Sequence, residues 1–178
     1  MMAQRGNRYL RLGSLLVLLA ATAVAWTETS ARSAAQEEVL FAPDFTLHTL
    51  EGETIQLSKL KGQVVLVNFW ATWCAPCRYE IPDLSRIYLD YKQQGVAILG
   101  VSVDEIETKH LVKFRDNYKM TYPVLHGSPA ELQRLTQLYG GIYSIPTTFV
   151  IDRQGVIATV FVGAQREQVF RDAIKPLL

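Results

Sequence analysis

The chain has 178 residues, 49% of them hydrophobic and 20% charged, with a formal net charge of +1. That length suits one folded domain, and the composition excludes a disordered or collagen-like chain. Four of the 18 Lys and Arg (Arg5, Arg8, Arg11, Arg32) and one of the 17 acids (Glu28) precede residue 36, so the remainder is slightly acidic and shows no basic bias toward nucleic acid.

Met1 to Arg11 is basic and free of acids, and Leu12 to Trp26 is an uncharged run rich in Leu, Ala and Val. A basic stretch before an apolar one is the pattern of a secretory signal. The run is short of the roughly 20 residues that a membrane span prefers. Ala23-Val24-Ala25 and Ser33-Ala34-Ala35 both have the small-x-small form of a cleavage site. An uncleaved anchor with its basic end in the cytoplasm meets the same criteria. Residues 1–26 are therefore expected to be a signal peptide or an N-terminal membrane anchor, and both readings export the rest of the chain. No Cys near the run could carry a lipid, and there is no twin-Arg pair. Residues 27–38, small and polar, read as a linker, which leaves 39–178 as the folded domain.

Phe45-Thr46-Leu47 and Thr54-Ile55-Gln56-Leu57 flank Glu51-Gly52, a hairpin pattern. Gln63 to Trp70 is almost continuously apolar, as in a central strand covered on both faces. A helix is predicted from Cys74 to Gln93, with Ile81, Leu84, Tyr88 and Tyr91 on its apolar face, a kink at Pro82 and a stop at Gly95. Val96 to Val103 reads as a second buried strand. Helices are predicted over Glu105 to Tyr118 and Pro129 to Tyr139. Strands over Thr147 to Ile151 and Val156 to Val162 enclose the turn Asp152-Arg153-Gln154-Gly155, and Arg166 to Leu177 is a terminal helix. This order predicts an α/β fold with a central mixed β-sheet flanked by helices.

Cys74 and Cys77 are the chain's two cysteines, three positions apart. A structural disulfide gains most by closing a long loop, and this pair closes almost none. In an exported chain such a pair reads as redox chemistry. The strand ending at Trp70 brings Cys74 to a helix start, where free N–H groups and the positive dipole end favour a thiolate. Cys74 is thus expected to attack a substrate disulfide, and the more shielded Cys77 to resolve the mixed disulfide. Pro76 suits the first helical turn because its missing N–H has no intrahelical partner there. Trp70 is expected in the core and Trp73 beside the pair. Glu80, three residues after Cys77, could handle the proton of the exchange. Helical spacing by itself prefers the plainer reading, a surface acid held by the helix dipole.

Phe69-Trp70-Ala71-Thr72-Trp73-Cys74-Ala75-Pro76-Cys77 resembles the active site of the thioredoxin superfamily, and Cys77-Arg78-Tyr79-Glu80-Ile81-Pro82 resembles its exported TlpA/ResA/CcmG branch. Ala42-Pro43-Asp44-Phe45 and Tyr143-Ser144-Ile145-Pro146-Thr147-Thr148-Phe149-Val150-Ile151-Asp152 extend the match over residues 39–178. The resemblance implies a thioredoxin-like fold with an N-terminal β-hairpin and a helix-containing insertion over about Asp104 to Leu125. It implies a cis peptide before Pro146, with the Ile145 backbone pairing with a bound peptide, and a substrate-binding role for Trp73, Pro76, Ile145 and Pro146. Glu80 matches the branch's active-site glutamate, which reverses the plainer reading. Asn68, which does not titrate, stands where thioredoxins keep a buried Asp. The implied partners are disulfide-bearing exported proteins, among them apocytochrome c, and an upstream membrane or exported electron donor. The chain is expected to act as a monomer in the periplasm or on the outer face of the cytoplasmic membrane, with no cofactor and no metal. The absence of a His between the cysteines points to a reductase.

Two other readings compete. Copper-delivery proteins of related fold use a Cys pair and a His, for which His126 is the best placed of His48, His110 and His126. A thiol peroxidase of peroxiredoxin type needs a Thr three residues before its reactive Cys, where this chain has Ala71, with Thr72 only two before.

Overall fold

The computed structural model describes residues 39–178. The expected signal or anchor (1–26) and linker (27–38) lie outside the described residues. Seven strands, β1 (Thr46–Thr49), β2 (Thr54–Gln56), β3 (Val64–Trp70), β4 (Val96–Ser102), β5 (Val124–His126), β6 (Thr147–Ile151) and β7 (Ile157–Val162), form one sheet in the order β2-β1-β5-β4-β3-β6-β7. The pairs β3–β4 and β4–β5 are parallel and the rest antiparallel, so the sheet is mixed. The helices are α1 (Ala75–Tyr91), α2 (Thr108–Tyr118), α3 (Pro129–Leu138) and α4 (Glu167–Ile174).

Every residue of β3 is buried, which is why it reads as an apolar run broken only by Asn68. Strand alternation divides its side chains between two cores. Val64, Leu66 and Trp70 pack with Cys77, Ile81, Leu84 and Ile87 of α1 and Phe170 and Ile174 of α4. Val65, Val67 and Phe69 pack with Leu132 and Leu135 of α3, and with Phe45, Leu47 and Leu57 of the N-terminal hairpin region. Trp70 is in the core as expected. Asn68 belongs to the alternation that faces α1, so a polar side chain is carried into that apolar layer.

Two differences from the sequence reading have local causes. The predicted helix from Glu105 begins at Thr108. Asp104, the natural cap for an earlier start, has its carboxylate committed to Ser102 and Thr72. Strand β5, three residues between a proline and a glycine, is too short to show a period, and it lies in the insertion together with α2. Helix α1 runs through Pro82 to Tyr91 without a break, followed by a 3₁₀ turn that ends at Gly95, φ 84°. Among the described residues no helix is long and apolar enough to cross a membrane.

Leu66 is fully buried in the middle of β3. Leu66→Ala is expected to lower stability by about 2–5 kcal/mol through lost transfer energy and a residual cavity. The check is a lower urea midpoint at an unchanged m-value.

Candidate active site

The site stands where β3 ends and α1 begins. Cys74 is the N-cap of α1, with an extended backbone, and its Sγ accepts a hydrogen bond from Cys77 N–H at 3.2 Å. An N-cap sulfur satisfies one of the free N–H groups of the first turn, and a thiolate does so better than a thiol. Cys74 and Cys77 form a disulfide, the oxidised form of the pair. Both are buried, Cys77 at 1% exposure and Cys74 at 5%.

A buried acid fixes the loop that delivers Cys74. Asp104, at the end of β4, accepts from Thr72 N–H at 2.9 Å, Thr72 Oγ1 at 2.7 Å and Ser102 Oγ at 2.8 Å. Arg78 donates to Thr72 O at 3.2 Å from the helix side. Thr72 is thus held between β4 and α1. The neighbouring Trp73, next to Cys74 in the chain, stands out at 68% exposure.

Glu80 is only 2% exposed, not the surface acid that helical spacing by itself prefers. Its Oε1 accepts from Asn68 Nδ2 at 2.9 Å and its Oε2 from Gln165 N–H at 2.8 Å. Asn68 also donates to Thr148 Oγ1 at 2.8 Å, across the β3–β6 register that sets Asn68 opposite Thr148. Burial outweighs these donors and pushes the Glu80 carboxyl from an ordinary 4.5 up to about 7, with the negative charge of Asp83 adding to the rise. Burial also raises the Tyr122 phenol, with Glu80 a further cause.

The loop before β6 closes the site. The Ile145–Pro146 peptide is cis, and Ile145 O lies 3.6 Å from Cys74 Sγ. Pro146 is buried and its carbonyl accepts from Gly163 N–H at 2.8 Å. Ile145, Pro146 and Trp73 therefore stand at or beside the pair, with Pro76 exposed between the two cysteines. Sequence reasoning missed Thr148, Asp104 and Gln165. Thr148 was legible as the β6 neighbour of Asn68, but Gln165 acts through its backbone and has no side-chain signal.

Among the described residues no group of three or more His, Cys, Asp or Glu could hold a metal ion. His126 lies on β5, opposite His48 of β1. The hydroxyl a peroxidatic cysteine needs is also missing: Ala71 has none, and that of Thr72 is directed to Asp104.

A cysteine pair at a helix N-terminus, facing a cis-proline loop, defines a thiol–disulfide oxidoreductase of thioredoxin-like fold. The chain matches the AhpC/TSA family model over residues 41–160. It is 38% identical over 138 residues to the thiol-disulfide oxidoreductase ResA of Halalkalibacterium halodurans, covering 76% of each chain. With the ResA of Bacillus subtilis it shares 34% over 181 residues, 98% of this chain and 97% of that one. Among solved structures, a thiol:disulfide interchange protein of the thioredoxin family from Chlorobium tepidum TLS superimposes with a TM-score of 0.71 at 32% identity, over 80% of this chain and 99% of that one. The chain belongs to the AhpC/TSA family, and its activity is thiol–disulfide exchange.

The raised Glu80 carboxyl has a consequence for stability. Between about pH 4.5 and 7 the folded state binds more protons at Glu80 than the unfolded chain does, so stability falls as pH rises through that window. The contribution is on the order of 3 kcal/mol. Glu80→Gln should flatten this pH dependence, as read from denaturation midpoints at pH 5 and pH 8.

Proposed function

We propose that the chain is an exported protein-disulfide reductase. Its thiolate is Cys74, its resolving thiol Cys77 and its proton handler Glu80. The observation that carries this reading is the buried carboxyl on the Cys77 stripe of α1, held near neutral pH by burial, behind a cysteine pair whose outer sulfur is the N-cap. In the reductive direction the Cys74 thiolate attacks one sulfur of a substrate disulfide. The Cys74–substrate bond forms, and the other substrate sulfur leaves as a thiolate that takes a proton. Cys77 then gives its proton to the Glu80 carboxylate and attacks Cys74 Sγ. The Cys74–Cys77 bond forms as the mixed disulfide breaks, and the released substrate thiolate is protonated. Two electrons pass from the pair to the substrate, and an upstream donor restores the dithiol by the same exchange in reverse.

The substrate lies along Ile145 and cis-Pro146, pairing with the Ile145 backbone in strand fashion, with Trp73 and Pro76 against its side chains. Residues 1–26 export the domain as a cleaved signal or a retained anchor, and residues 27–38 link it to the domain. The site then works in the periplasm or on the outer face of the cytoplasmic membrane, as a monomer. The resemblance to the ResA/CcmG branch points to the haem-attachment cysteines of apocytochrome c among the substrates.

Cys77→Ser removes the resolving thiol, so a mixed disulfide between Cys74 and its partner should accumulate and be recoverable under non-reducing conditions. Cys74→Ser in the same background should abolish it, and the lack of any Cys74-dependent adduct would sink the exchange mechanism. The reductase assignment also predicts a potential nearer about −270 mV than about −120 mV, measured by equilibration with glutathione. A value at the oxidising end would reverse the direction of electron flow.

A further inference from the structure

The turn from Gly163 to Gln165, between β7 and α4, joins two parts of the site. Gly163 has φ +85°, and nothing lies within 4 Å of where a Cβ would stand. Glycine is therefore needed for backbone conformation and not for space. Its N–H donates to Pro146 O at 2.8 Å, on the cis-proline loop. Two residues on, Gln165 N–H donates to Glu80 Oε2 at 2.8 Å. The Gln165 side-chain amide donates back to Gly163 O at 3.0 Å and braces the turn.

The other groups around Glu80 are few. Asn68 of β3 donates to Oε1. Asp83 lies one turn further along α1, with its Oδ2 accepting from Glu167 N–H at 3.0 Å and its other oxygen paired with Arg86. Tyr122 faces Glu80 from the segment before β5 with a fully buried phenol, and Cys77 lies on the same helix. Each carboxyl oxygen thus has one donor, and the turn supplies one of the two. A hydrogen bond to an ionised carboxylate is roughly twice as strong as one to a neutral carboxyl. Ionised Glu80 therefore holds the turn firmly, and protonated Glu80 holds it less well.

We propose that the Gly163–Gln165 turn couples the ionisation of Glu80 to the order of the Ile145–Pro146 edge, with the N–H groups of Gln165 and Gly163 as positioning groups. This rests on the reading of Glu80 as the proton handler and of Ile145–Pro146 as the edge that takes an extended peptide. Because coupling is reciprocal, a peptide seated on the ordered edge favours ionised Glu80. That is the basic form required when Cys77 loses its proton. Departure of the peptide frees the turn and favours proton uptake. The ligand class is an extended segment flanking a disulfide-bonded cysteine, recognised through its main chain.

The test is amide hydrogen exchange by NMR on the full chain with its disulfide formed. Relative to the intrinsic rate, protection of Gly163 N–H should rise about 10-fold as Glu80 ionises, the equivalent of one good hydrogen bond. In Glu80→Gln it should not change with pH. Gly163→Ala should weaken the turn at every pH and raise the Glu80 titration midpoint, read from its side-chain carboxyl resonance. The coupling is overturned if Gly163 protection is the same on both sides of that midpoint. It is overturned equally if Glu80→Gln shows the wild-type change, or if Gly163→Ala leaves the midpoint where it was. The pH profile of mixed-disulfide resolution separates the two failures. An unchanged profile in Glu80→Gln removes the proton-handling role and the coupling with it, whereas an altered profile with flat Gly163 protection removes the coupling alone.

Discussion

The hydrogen bonds from Asn68 and Gln165 to Glu80 join three parts of the molecule that lie far apart in sequence: the central strand, the cysteine helix and the turn after the last strand. A carboxyl taken out of water is costly to keep charged unless donors replace the lost solvent. Here two donors replace it only in part, so burial prevails and the group is poised near neutral pH. Were Glu80 fully satisfied it would stay ionised, and were it without donors it would stay protonated. A balance between the two lets one side chain both take and return a proton.

That balance is set by the sheet. Alternation along β3 turns Asn68 to the α1 face, and the β3–β6 register puts Thr148 opposite it, so its amide is oriented by one hydrogen bond while it makes the other. The parallel pairing of β3 with β4 brings Trp70 level with Ser102, and two residues further on Asp104 reaches Thr72. One buried acid, Asp104, therefore fixes the approach to Cys74, and another, Glu80, lies buried one helical turn beyond Cys77. Both hang on strand register, and a one-residue slip would turn every β3 side chain to the opposite face.

Much of this architecture is legible in the amino-acid sequence. The near-continuous apolar run of β3, the helix after Cys74 and the β6–β7 hairpin all carry their patterns there. The cysteine spacing announces the chemistry because a pair so close has little to gain as a staple. The function of Glu80 is not legible from spacing, which places a residue on a helix face but does not say what covers that face. The donors to Glu80, Asn68 and Gln165, lie 12 and 85 residues away. The resemblance supplies what local pattern could not. Asp104 escapes local reading for a similar reason: its partners Thr72 and Ser102 are met only when β3 and β4 pair, and an Asp just after a strand reads locally as the cap of the next helix.

A carboxyl poised near neutral pH serves proton transfer equally well in either direction, so it does not by itself decide whether the pair reduces or oxidises its partners. That choice depends on the relative stability of dithiol and disulfide. The groups that bias it touch the outer sulfur. Cys77 N–H donates to Cys74 Sγ and favours a thiolate, which stabilises the reduced form, while Ala75 and Pro76 add no further cation between the sulfurs. A strong oxidase needs more thiolate stabilisation than one N–H and a helix dipole provide, because its reduced form must be the favoured one. With only these, the surroundings of Cys74 fit the proposed role of the dithiol as electron donor. The surroundings of Cys74 favour the proposed reductive direction, and the proposed proton handling by Glu80 bears on how readily the second step proceeds.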